Sequence, residues 1–308
     1  MRKIIILLML LSGLSGHAYC KDVIRVLTTT EDLKSIAETI GGDKIKVDSL
    51  ARGYQDPHFV DAKPSFMIKA KNADLFIRIG LELEIGYEDP IIDGSRNQKI
   101  RIGAPGHLDA SEGVSLLEVP TTTKIDRSMG DVHPMGNPHY WLDPENAGIM
   151  ARNIAGRLSE LSPEDAGYFQ ENLEAFDKKI DEKMDEWNKK MAPFKGNKIA
   201  AYHRSWPYFA DRFGLVVAYE LEPKPGIPPS PGHLKEVIDG IKRDNVKIIL
   251  MEVFYDEKPA RFVASRTGAG VVVVPNSVGG TKDAKDYISL IDTIVDKVAA
   301  GFQARGKE

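Results

Sequence analysis

Seven apolar residues, Phe169, Leu173, Phe176, Ile180, Met184, Trp187 and Met191, recur at steps of four and three inside an otherwise heavily charged segment. That spacing is one continuous stripe along a helix. Ser162 is its expected N-cap, Pro163 suits the first helical position, Asp165 completes a capping-box-like pattern, and Pro193 ends it. At about 1.5 Å per residue such a helix is on the order of 40 Å long, comparable to a whole domain. It is better suited to a rigid spine than to a flexible linker. The chain is therefore expected to divide into an N-terminal lobe over 21–161, a spine helix over 162–192 and a C-terminal lobe over 193–308.

Both halves alternate short β-branched runs with amphipathic stretches, the pattern of an α/β fold with mostly parallel sheets. In the first, Val23–Thr28, Ile45–Leu50, Leu75–Ile79 and Lys99–Ile102 read as strands. Asp32–Ile40, Pro64–Lys71 and Glu145–Leu161 read as helices, the last started by Asp143-Pro144. In the second, the expected strands are Lys198–Ala201, Leu215–Glu220, Val246–Met251 and Val271–Val274. Its expected helices lie near Trp206–Phe213, Pro231–Asp244, Lys258–Thr267 and Asp286–Gln303. The Pro-rich run 222–229 is a stiff loop.

The start of the chain differs from the rest. Arg2 and Lys3 precede the apolar run Ile4–Leu14, and Ala18-Tyr19-Cys20 follows, which reads as a secretory signal peptide over residues 1–20. The apolar run is too short to span a bilayer, so the mature protein is expected to be exported to the periplasm and soluble. Cys20 is the only cysteine, so no disulfide framework exists. The bulky Tyr19 before it argues for simple cleavage over a lipid anchor. Without Arg2 and Lys3 the chain keeps 39 basic against 45 acidic residues, a net charge of −6. A mildly acidic protein has no reason to seek nucleic acid or anionic lipid.

Three histidines, His58, His139 and His203, each sit in a turn near the end of an apolar run. Imidazole is the commonest protein ligand for transition metals, and three around one ion is a recognised zinc pattern. In open α/β sheets ligands bind beyond the carboxyl ends of the strands. Two lobes facing across a cleft would put His58 and His139 on one side and His203 on the other. A lone His after a Pro is usually a surface turn residue, so the argument rests on all three together. His107 is expected in a Gly/Pro loop and His233 as a helix cap, whereas His133 stands between surface residue and auxiliary metal contact. For a fourth ligand, Glu252 at a strand end is the candidate, against a salt bridge with Arg204. Asn276, a neutral amide, would tune the site or leave room for water.

Several stretches, in order, carry a resemblance. They are Asp56-Pro57-His58, Asn72-Ala73-Asp74-Leu75 with Ile79-Gly80 and Leu83-Glu84, His139 with Trp141-Leu142-Asp143-Pro144, His203 with Tyr208-Phe209-Ala210 and Phe213-Gly214-Leu215, and Pro229-Ser230-Pro231-Gly232. Over nearly its whole mature length the chain resembles the cluster A-I (ZnuA/TroA-like) solute-binding proteins of bacterial metal-ion ABC transporters. The resemblance implies two pseudo-symmetric Rossmann-like lobes joined by one long helix, with a metal between them held by His58, His139 and His203. It also implies an ABC permease and its ATPase as partners. The chain departs from the family in two places. The loop before the second ligand, usually rich in His and acids, offers only His133, and Asn276 stands where an aspartate is common. Manganese members tend to carry a carboxylate at the third ligand, and this chain has His203. Imidazole favours zinc and carboxylates suit manganese, so the expected cargo is Zn(II) ahead of Mn(II) or Fe(II). The expected protein is a monomeric carrier with no catalytic role. The rivals are a zinc hydrolase, which the absence of His-Glu-x-x-His opposes, and an adhesin.

Overall fold

The computed structural model describes residues 23–121 and 133–306; the apolar leader and Cys20 lie outside the described residues. Two parallel four-stranded sheets form the frame. The first holds β1 (Ile24–Thr28), β2 (Ile45–Ser49), β3 (Leu75–Arg78) and β4 (His107–Asp109) in the order β2-β1-β3-β4. The second holds β5 (Lys198–Ala201), β6 (Val216–Glu220), β7 (Ile248–Glu252) and β8 (Gly270–Val274) in the order β6-β5-β7-β8. Position for position the two orders are the same, so the lobes are pseudo-symmetric. Val26 and Leu27 in the first sheet and the whole of β7 in the second are buried, as central parallel strands must be.

Helices α1 (Glu31–Gly41), α2 (Pro64–Lys71), α3 (Glu88–Ser95) and α4 (Pro144–Leu161) belong to the first lobe. The spine is α5 (Ala166–Met191), 26 residues and so about 39 Å long. All seven residues of its apolar stripe are buried. They pack on α1 and α4 on one side and on α9 (Tyr287–Arg305) of the second lobe on the other. The remaining helices are α6 (Pro207–Phe213), α7 (Pro231–Asp244) and α8 (Glu257–Thr267). One apolar core runs from Val26 and Leu75 through the α5 stripe to Ile248 and Phe302, so the lobes share an interior.

Polar bonds also cross between the lobes. The buried Asp32 carboxyl on α1 accepts from Ser277 Oγ at 2.5 Å and from the Val278 N–H at 2.9 Å. Arg212 on α6 forks onto both oxygens of Asp143, at 2.7 and 2.8 Å, while Asp143 also caps α4 through the Glu145 N–H. Trp187 on the spine donates to Asp292 at 2.8 Å.

Four expectations are corrected. Lys99–Ile102 is not a strand: the Asn97 side chain caps the Lys99 N–H and starts a 3-10 turn over Gln98–Ile100. The fourth strand comes later, with His107 in register with Phe76. That puts His107 in a strand instead of a loop, buried, with its ring bonded to Glu88 at 2.8 Å. The Ser162 hydroxyl does not cap α5; it donates to the Asp165 carboxylate, and the helix begins through a 3-10 turn over Pro163–Asp165. Ser230 caps α7, and His233, three residues on, instead bonds the Glu220 carbonyl through its ring. Helix α3 was unanticipated, since Pro90 and Gly94 disguise it; Pro is tolerated in a first turn.

Candidate metal centre

Asp56-Pro57-His58 and Asn137-Pro138-His139 fold as the same local device. In each, the side-chain oxygen of the residue two before the histidine accepts the histidine's own backbone N–H, closing an Asx turn. Asp56 does so at 3.0 Å and Asn137 at 2.9 Å. The same oxygen then accepts the ring Nδ1–H, at 2.8 Å in His58 and 2.9 Å in His139. One acceptor thus sets both the backbone and the ring tautomer, leaving Nε2 to point away.

His203 reaches the same arrangement by another route. Tyr202 extends β5 by donating to the Leu250 carbonyl, and His203 follows directly. The parallel neighbour β6 delivers Glu222, whose N–H bonds the Tyr202 carbonyl and whose carboxylate accepts the His203 Nδ1–H at 2.7 Å. Glu222 is in turn held by the Gly226 N–H in the Pro-rich loop.

These three histidines converge. One ligand nitrogen from each lies within 4.8 Å of the others, and the ring centroids stand 5.1 to 5.3 Å apart. His58 and His139 come from the first lobe and His203 from the second, so the cluster lies between the lobes. Trp141 packs against His139, and Tyr255 against His203. The Tyr255 hydroxyl also reaches Asp56 at 3.3 Å, joining the two sides beside the cluster.

The electrostatics are uneven around the ring. Burial, reinforced by His58 and His203, holds His139 neutral well below the usual histidine range. Burial also opposes protonation of His203, but the Glu222 carboxylate outweighs it and moves its pKa up. Asp56 is held below the ordinary carboxylate value: burial works against ionisation, and the His58 bond and charge prevail.

Glu252 is placed differently. It closes β7, fully buried and near enough to His203 for their charges to interact, and burial lifts its pKa to about 7. Neither of its oxygens has a hydrogen-bond partner among the described residues, and it is not part of the three-histidine cluster. Arg204, the salt-bridge partner considered for Glu252, instead bonds Glu118 at 2.9 Å. Asn276 is buried beyond β8, its carbonyl accepting from Trp141 and its side-chain oxygen without a partner among the described residues. Sequence reasoning missed the outer partners. The repeated Asx-Pro-His could have announced Asp56 and Asn137, whereas Glu222 had no local signal.

A family model described as zinc-uptake complex component A, periplasmic (ZnuA), matches residues 26–301. Similar proteins include the manganese ABC transporter substrate-binding lipoprotein PsaA of Streptococcus pneumoniae, 26% identical over 91% of this chain and 89% of that one. The iron-binding protein YfeA of Yersinia pestis is 26% identical over 90% of this chain and 86% of that one. A crystal structure of ZnuA superposes with a TM-score of 0.76 at 26% identity, covering 91% of this chain and 99% of that chain. Two such lobes around an inter-lobe histidine cluster are those of a metal-binding substrate-binding protein of an ABC transporter. The chain belongs to the ZnuA family.

Proposed function

We propose that the protein captures Zn(II) outside the cytoplasm, holds it between the lobes on His58, His139 and His203, and delivers it to an ABC permease driven by its ATPase. The observation that carries this reading is the composition of the cluster: three imidazoles and, among the described residues, no carboxylate within 4.8 Å of all three. Relatives in this family are named for manganese and for iron, so the ion follows from this chain's donors and not from the family. Imidazole suits zinc, and a set lacking carboxylate is a poor host for manganese. Glu222 and Asp56 place negative charge on the far side of two ligand rings, which raises ligand basicity and offsets the cation's charge.

Glu252 acts as a buried acid behind His203, and Asn276 as a neutral wall, with neither needed as a ligand. The shared core and the spine limit closure to small local movements. Export follows from the leader, and Cys20 is the residue whose fate decides between a free and a lipid-anchored carrier. Intact mass of the exported protein separates the two.

The test is growth. A strain lacking the protein should grow poorly in zinc-chelated medium, recover with added zinc or the wild-type chain, and fail to recover with His203→Ala. Full rescue by His203→Ala would refute the assignment. Rescue by manganese alone would move it to the other branch of the family.

A further inference from the structure

Among the described histidines, His58 and His133 share one property: a buried Nε2 with no hydrogen-bond partner among the described residues. Buried polar nitrogens are rarely left so, and each exception asks for an explanation such as an ion. His107 and His233, by contrast, have their ring nitrogens bonded to Glu88 and to the Glu220 carbonyl. The His133 ring stands 5.4 Å from that of His58, nearly the spacing at which His58, His139 and His203 stand from one another.

The surroundings of His133 look built. The ring is bonded by the backbone carbonyls of Leu81 and Glu82. Since Nε2 is unpartnered, Nδ1 is the donor, as at the other three rings. Leu81 and Glu82 both hold left-handed backbone, with φ of 54° and 65°, a strain that persists only where the surroundings enforce it. Here the buried Glu84 enforces it, accepting from the Ile79 and Gly80 N–H groups and from Thr29 at 2.7 to 3.0 Å. On the other side, His133-Pro134-Met135-Gly136 turns back on itself through the Gly136 N–H to the His133 carbonyl. Gly136 has a φ of 117°, and a Cβ there would crowd the Leu117 carbonyl at 3.0 Å. The next residue is Asn137, which orients His139.

We propose that His133 is the fourth ligand of the zinc site, so that the ion is held by four imidazoles. The proposal rests on the zinc reading above. His133 lies outside the 4.8 Å cluster, so it closes onto the ion as the last donor, through the short turn it shares with His139. A ligand swung in on a short turn also gives the ion a point of release that leaves the other three donors in place. Four nitrogens sharpen discrimination against manganese.

The test is zinc K-edge absorption on the EDTA-stripped protein reloaded with one zinc, together with competitive zinc titration. The wild type should show four imidazole nitrogens at about 2.0–2.1 Å, and His133→Ala should show three with a light oxygen donor. Losing an outer partner of a metal ligand costs about 10- to 100-fold in affinity, so losing the ligand should cost at least about tenfold. The wild-type count needs no variant, and melting of the metal-free His133→Ala protein checks its fold. Three imidazoles in the wild type, with unchanged affinity in His133→Ala and loss in His203→Ala, would overturn this proposal and leave the three-histidine site standing. Zinc binding indifferent to both substitutions would overturn both.

Discussion

Replacing Asp32 by Asn should flatten the dependence of stability on pH between about 4 and 7. Asp32 is fully buried on α1 and bonds across the lobe interface to Ser277 and Val278. Burial, only partly offset by those bonds, raises its pKa from the ordinary 3.8 to about 7. Below 3.8 the group is protonated in both the folded and the unfolded chain and has no effect on the balance. Between 3.8 and about 7 the unfolded chain ionises and the folded one does not, so stability falls as pH rises. At about 1.4 kcal/mol per pH unit the full loss is about 4 kcal/mol, complete by pH 7. Asn keeps the shape, cannot ionise, and changes the hydrogen bonding by an amount that does not vary with pH. Urea unfolding of metal-free wild type and Asp32→Asn at pH 4.5, 6 and 7.5 measures the difference. The gap between the two should move in favour of Asn by about 3 kcal/mol from the lowest to the highest pH, since about 1 kcal/mol of the loss has already occurred by pH 4.5. A gap constant across that range would refute the reasoning and put an ionised Asp32 at the interface.

Glu222→Gln removes the anion that raises the His203 pKa. Zinc affinity at pH 7.5 should drop about 10- to 100-fold, while the loss of binding on acidification moves to lower pH, because His203 then holds its proton less tightly. Chelator competition across pH 5 to 8 reads both effects. Trp187→Ala empties a buried place on the spine and removes one of the bonds to Asp292, which keeps Lys183; it should cost about 3–5 kcal/mol in chemical unfolding with zinc stoichiometry unchanged in the folded protein. Arg212→Ala leaves the Asp143 carboxylate without its fork and should cost about 1–3 kcal/mol, read in the same unfolding assay.

The spine and the parallel sheets were legible because their signals are local: a stripe at helical spacing, and short β-branched runs between amphipathic stretches. The same holds for His58 and His139, each announced by an Asx-Pro ahead of it. Failures came where local pattern is ambiguous or partnership is distant. Lys99–Ile102 is apolar enough for a strand, yet Asn97 bends the chain there and pairing waits until His107. Pro90 and Gly94 hid α3. Glu222 could not be read as the partner of His203, because they meet only once β5 and β6 pair. His133 was recognisable as a histidine without a settled role. Its meaning depends on the strained Leu81-Glu82 backbone, which belongs to another part of the chain.

The most direct measurement is a competitive metal titration of the EDTA-stripped protein with Zn(II), Mn(II) and Fe(II), alongside His203→Ala. One tight zinc per chain, retained against an excess of either rival and lost when His203 is replaced, is the predicted result. Preferential retention of manganese or iron, or zinc binding that ignores His203, would contradict it.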